Sequence, residues 1–189
     1  MMLGSPVMNP RRGSGMAFAE FLAAVKEPAL RAVALHWEAA RGARRMPGWQ
    51  HIDAVAIAPY LRFVWSWKYD RASDGFTGRL AGEDINAAFG KPLRGVPMAE
   101  FFADWQYDLI FARSKRVVSE PAFAHGTGPV FAHARRYGTG ERIILPLAAD
   151  GVSSDGILGA TVYHWVSRPP EATEHRDPRQ ERVEFFPLD

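Results

Sequence analysis

Gly75-Phe76-Thr77-Gly78-Arg79-Leu80-Ala81-Gly82-Glu83-Asp84-Ile85-Asn86-Ala87-Ala88-Phe89-Gly90 carries a strand pattern straight into one short helix. Phe76, Gly78 and Leu80 alternate with Thr77, Arg79 and Ala81, the period of a pleated strand. Gly82 frees the backbone for a change of direction, Asp84 is placed to cap the helix, and Gly90 suits the left-handed residue that ends it. Pro92 and Gly95 then keep the next segment from continuing that helix. The joint speaks for an α+β domain and carries no chemistry of its own.

Upstream of it, Val64 to Tyr69 alternates Trp65, Trp67 and Tyr69 with Ser66 and Lys68, which predicts a strand. The Ser-Asp-Gly turn before Gly75 makes the pair a hairpin. Further back, Phe18, Phe21, Leu22 and Val25 share one helical face from Met16 onward. Pro28 fits the first turn of a second helix with the stripe Leu30, Val33, Ala34 and Trp37, ended by Gly42 and Pro47. Ala54 to Leu61, with Pro59, reads as a loop or a single helical turn.

Downstream, Pro97 to Glu120 is the longest helical candidate, as one helix or two. Phe123 to Tyr137 reads as a strand, a turn and the start of another strand. In Glu141–Leu147 the proline argues for an edge or a bulge, and Ile157–Trp165 is the last predicted strand. The expected organisation is a loose arm over residues 1–15, a folded domain over 16–165 and a polar tail over 166–189. Within the tail, Val183, Phe185, Phe186 and Leu188 suit a docking strand or a partner contact. The element order predicts an antiparallel sheet with helices gathered on one face and a helical preface on the other.

The 189 residues are 47% hydrophobic, enough for one full core but crowded for two domains. Lys and Arg number 23 against 21 Asp and Glu, so the net charge of +2 is no nucleic-acid signature. The absence of cysteine excludes disulfides, thiolate nucleophiles and cysteine-bound metals, and any metal would need His or carboxylate ligands. No run approaches the ~20 apolar residues that span a bilayer, and the first residues lack signal-peptide order. The expectation is a soluble, cytoplasmic protein.

The order of these elements resembles the single-domain bacterial PAS-type proteins, a PAS subfamily formerly described as a domain of unknown function. The resemblance covers roughly Ala29 to Trp165. It is carried by Leu35-His36-Trp37, Ile52-Asp53 with Pro59, Arg79-Leu80-Ala81-Gly82, Phe89-Gly90, Leu93-Arg94-Gly95, Leu145-Pro146-Leu147, Asp150-Gly151 and Ile157-Leu158-Gly159. It implies a five-stranded antiparallel sheet in the order 2-1-5-4-3, helices over one face enclosing a small pocket, and an N-terminal helical extension. It also implies a sensory or protein-interaction role and supplies no catalytic residue. No kinase, cyclase or DNA-binding segment follows the domain, so the expected action is through a partner signalling protein or a change of assembly.

The residues leave two function classes open. One is a non-catalytic sensor or adaptor in bacterial signalling, served by a small-molecule ligand, a partner protein or a homodimer through the N-terminal helices, with no nucleic acid and no membrane. The other is a small α+β enzyme using His or Asp53 as acid or base in an enclosed cavity.

The candidate ligand-binding residues are Arg79, Trp67, Tyr107, His125 and Tyr163, and no catalytic residue, metal or cofactor is assigned. Arg79, in an apolar strand, is expected to meet Asp53, Glu83 or a bound anion. The aromatics of Val64–Tyr69 suit a core as well as a stacked ligand. His36, His125, His133 and His164 include no H-x-x-x-H pair, which favours structural roles over a metal or haem. Gly126-Thr127-Gly128 looks like part of a phosphate loop but lacks the following Lys-Ser/Thr, and reads as a turn. No G-x-S-x-G elbow occurs.

Overall fold

Trp65, Trp67 and Tyr69 are buried together on one face of strand β1 (Val64–Asp70), with Val64 in the core on the opposite face. The alternation of the sequence thus sets the two-sidedness of the whole molecule. The computed structural model describes residues 10–102, 104–133, 136–165 and 180–188. Strands β2 (Gly75–Ala81), β3 (Ala122–His133), β4 (Arg136–Leu147), β5 (Gly156–Trp165) and β6 (Arg182–Pro187) join β1 in one antiparallel sheet ordered β2-β1-β5-β4-β3-β6.

Five of these strands follow the expected 2-1-5-4-3 order. The sixth corrects the expectation of a polar tail from residue 166: Arg182–Pro187 pairs with β3, with Phe186 opposite Phe123. Residues 166–179 of that tail lie outside the described ones. β3 also runs through the glycines into a long hairpin with β4, where a short strand and a turn were expected.

Helices α1 (Pro10–Ala24) and α2 (Pro28–Arg41) pack on one face. α1 begins inside the stretch expected to be a loose arm, of which residues 1–9 lie outside the described ones. Phe21, Leu30, Val33 and Trp37 have no exposed surface. Each full burial of this kind contributes about 1.5–3 kcal/mol. Phe21 stacks on Phe123 at 4.9 Å, Trp37 meets the same ring edge-on at 5.0 Å, and Phe186 closes on Phe21 at 5.8 Å. Trp37 Nε1 donates to the Pro146 carbonyl at 2.8 Å. β4 is an inner strand, but its pairing with β3 ends at Ile144, so Pro146 lies where no β3 partner needs its missing N–H.

Helices α3 (Glu83–Phe89), α4 (Met98–Phe101) and α5 (Asp104–Ser119) cover the other face, where Ile85, Met98, Phe101, Val117 and Val118 are buried. The long helical candidate is therefore two helices. Gly90 ends α3 in the left-handed region at φ 67°, as expected. Asp84 does not cap α3: Gly82 holds the cap position, and Asp84 accepts a fork of hydrogen bonds from Arg62 at 2.9–3.1 Å. A bulge also breaks the strict alternation of β2. Ser66 pairs with Leu80 and Trp67 with Gly78, which leaves Arg79 as the extra residue. Phe76 therefore joins the α3–α5 face while Leu80 packs on the α1–α2 face.

Candidate functional site

The α3–α5 face of β1, β4 and β5 does not close completely against its helices. Trp65, Trp67, Phe89, Phe101 and Phe102 wall a pocket there, and Arg113, Arg142, Thr161 and Tyr163 supply its polar groups. The volume is about 40 Å³. That is space for a few waters; a cavity that takes a whole benzene ring measures about 150 Å³, so a ring here would lie partly in the pocket's open mouth. Trp67 meets Phe101 edge-on at 5.7 Å, and Phe89 lies 4.8 Å from Phe101, so the apolar wall is an aromatic lattice.

The polar groups are held by neighbours. Arg142 and Thr161 are register partners on β4 and β5. Thr161 Oγ1 accepts from Trp65 Nε1 at 2.9 Å and from Arg142 Nε at 3.3 Å. Arg113 reaches in from α5, and both guanidiniums share the Glu181 carboxylate, at 2.5 Å from Arg113 and 3.3 Å from Arg142. Burial holds the Arg113 guanidinium below its ordinary value, with Arg142 adding to the effect and Glu181 opposing it. The Tyr163 phenol, beside Arg142 and Thr161, is pushed up to about 12, chiefly by burial. It is a neutral O–H donor across the physiological range.

Of the five predicted ligand-binding residues, Trp67 and Tyr163 line this pocket. Tyr107 packs on Phe111 at 5.3 Å in the same core without lining it. Arg79 and His125 belong to the other face. Arg79 is exposed and lies over the Trp49 ring at 4.5 Å, and the expected forks to Asp53 or Glu83 do not form. It is open to water there, which removes the reason for pairing a buried charge. His125 is buried beside Glu141, its Nε2 at 2.5 Å from Oε1. His36 Nε2 accepts the Asp53 N–H at 3.0 Å, a structural role of the kind expected for the histidines.

Sequence reading missed Arg113, Arg142 and Glu181. Arg142 carried a signal, since it shares strand phase with the inward Ile144, and Arg113 stands three after Ile110 and four before Val117 on a helix. Glu181 carried none, because its neighbours in sequence read as a solvated tail. Among the described residues no group of His, Asp and Glu is arranged to hold a metal, and no helix is long and apolar enough to cross a membrane.

The covered antiparallel sheet, with a small pocket under its short helices, has the strand order that the PAS resemblance implies, extended by β6. The chain belongs to the PAS domain family, whose profile matches residues 25–162. Neither the curated proteins nor the solved structures contain a match to it. α1 and β6, which pack together through Phe21 and Phe186, flank the matched segment on either side.

Proposed function

We propose that the protein is a non-catalytic PAS sensor of bacterial signalling that binds a small molecule in the pocket under α3–α5 and passes the event to a partner protein. The observation that carries this reading is the pocket itself: an aromatic wall meets Arg113, Arg142 and the neutral Tyr163 phenol, a composition suited to holding a ligand in one orientation. Among the described residues no carboxylate or imidazole lines the pocket, so the His or Asp53 that the enzyme alternative calls for is not at that point. His125, the buried imidazole, is on the opposite face and engaged with Glu141.

Native mass spectrometry of the protein purified from its own host tests the reading. The expected result is a non-covalent adduct on the parent protein that Ile110→Trp, which fills the pocket from α5, does not carry. A parent protein without an adduct, or an adduct that survives in Ile110→Trp, overturns it.

A further inference from the structure

Glu181 stands immediately before β6, and its carboxylate is the shared partner of Arg113 and Arg142, two of the pocket's polar groups. Its side chain is 1% exposed. The seat that receives it is made by Gly126 on β3, the residue directly opposite Arg142. A Cβ built on Gly126 falls 2.2 Å from Glu181 Oε1, so any larger residue there would push the carboxylate out of its present seat. Gly126, in a Gly-Thr-Gly stretch that has no phosphate-loop context, thus has a physical function as the notch for an internal anion.

From this geometry we infer that Glu181 occupies the anion position of the pocket's arginine pair, that the ligand is a small apolar carboxylate, and that the ligand's carboxylate displaces Glu181 and loosens β6 from β3. The inference rests on the proposed reading of the pocket as a small-molecule site. The aromatic wall takes the apolar body, the Tyr163 O–H and the guanidinium forks take the carboxylate, and Arg is the side chain suited to bidentate carboxylate recognition. β6 is an edge strand paired only with β3, so its loss costs one ladder and no second strand. Its release uncovers Phe186 and the Phe21 ring it closes on, an apolar surface a partner can read.

The probe is sodium benzoate, with benzamide as its uncharged counterpart, on the full chain. Binding is read from the emission of Trp65 and Trp67, and the state of β6 from hydrogen exchange of amides 182–187. Benzoate is expected to bind at least about tenfold tighter than benzamide and to speed exchange in β6 at least about tenfold, while benzamide leaves β6 protected. Glu181→Gln should tighten benzoate binding by about tenfold. Gly126→Ala, which evicts the carboxylate, should speed β6 exchange without ligand. Benzoate and benzamide binding equally, or benzoate binding with β6 exchange unchanged, overturns the internal-anion inference and leaves the pocket as a small-molecule site. Silence of both probes on the parent and on Glu181→Gln counts against the pocket reading as well.

Discussion

His125 Nε2 lies 2.5 Å from Glu141 Oε1 on the face of the sheet turned away from the pocket. The same carboxylate accepts the Lys26 N–H at 2.8 Å and the Glu27 N–H at 2.6 Å, the amides that lead into α2. Glu141 thus ties the α1–α2 junction to the centre of the sheet, with a negative charge near the positive end of a helix.

Removing this carboxylate leaves two half-buried amides and the buried His125 imidazole without their partner. Glu141→Ala is expected to cost about 2–5 kcal/mol, and Glu141→Gln less, because the amide oxygen still accepts. Urea unfolding of the three proteins checks this, and a loss below about 0.5 kcal/mol for Glu141→Ala would show that the junction is held by apolar packing alone.

Arg79 behaves in the opposite way. It is exposed, and its contact is the Trp49 face, an interaction worth about 0.5–1 kcal/mol at such sites. Arg79→Ala should therefore shift stability by no more than about 1 kcal/mol. A drop of about 3 kcal/mol or more in thermal or urea unfolding would mean that the guanidinium has a buried carboxylate partner after all.

The contrast between these two residues shows what was legible in the sequence. Period-two alternation in Val64–Tyr69 and the stripe Leu30, Val33, Ala34, Trp37 report burial directly, whereas the sheet order was legible only through the resemblance to the PAS-type proteins. A bulge leaves no mark in a hydrophobic pattern, so the alternation of β2 carried Leu80 to the wrong face, the one that Phe76 takes. β6 was legible only as an alternative, because four apolar residues within a polar stretch fit a docked strand and a partner contact equally well. The arginine pair was hidden for a related reason: a charged residue in inward phase looks like an error in the pattern until its partner, 39 residues away for Arg142, is placed beside it.

Tyr163 gives a pH signature. In the unfolded chain the phenol titrates near 10.0, and in the native pocket it is held up to about 12 by burial. Below pH ~10 both states keep the proton and the stability is fully present; as pH rises from ~10 through ~12 the unfolded chain releases a proton that the native state retains, and stability is lost. The loss is of order 2 kcal/mol by the top of that window. Tyr163→Phe should lack this component, so the stability difference between parent and variant changes across the window. Parallel curves for the two proteins from about pH 9 to about pH 12 would mean that the phenol is open to water.

Gly82 tests the joint between β2 and α3. A Cβ there would fall 2.0 Å from the Leu61 carbonyl oxygen and 2.5 Å from that of Arg62. Both are backbone atoms in the 3-10 turn Ala58–Phe63 or at its edge, so they cannot swing aside as the end of a side chain can. The Gly82 N–H also donates to the Val64 carbonyl at 2.8 Å, which fixes the strand in place under the turn. Relief requires the turn and β1 to separate, so Gly82→Ala is expected to cost about 3 kcal/mol, the upper end of the usual range for overpacking. Gly90 is the control. It has a left-handed φ of 67° but open space around its Cβ position, so Gly90→Ala costs only the conformational penalty of about 1–2 kcal/mol. Urea midpoints of the two variants rank the effects. If Gly82→Ala proves no more costly than Gly90→Ala, the close backbone approach does not limit this position, and the glycine serves only to turn the chain.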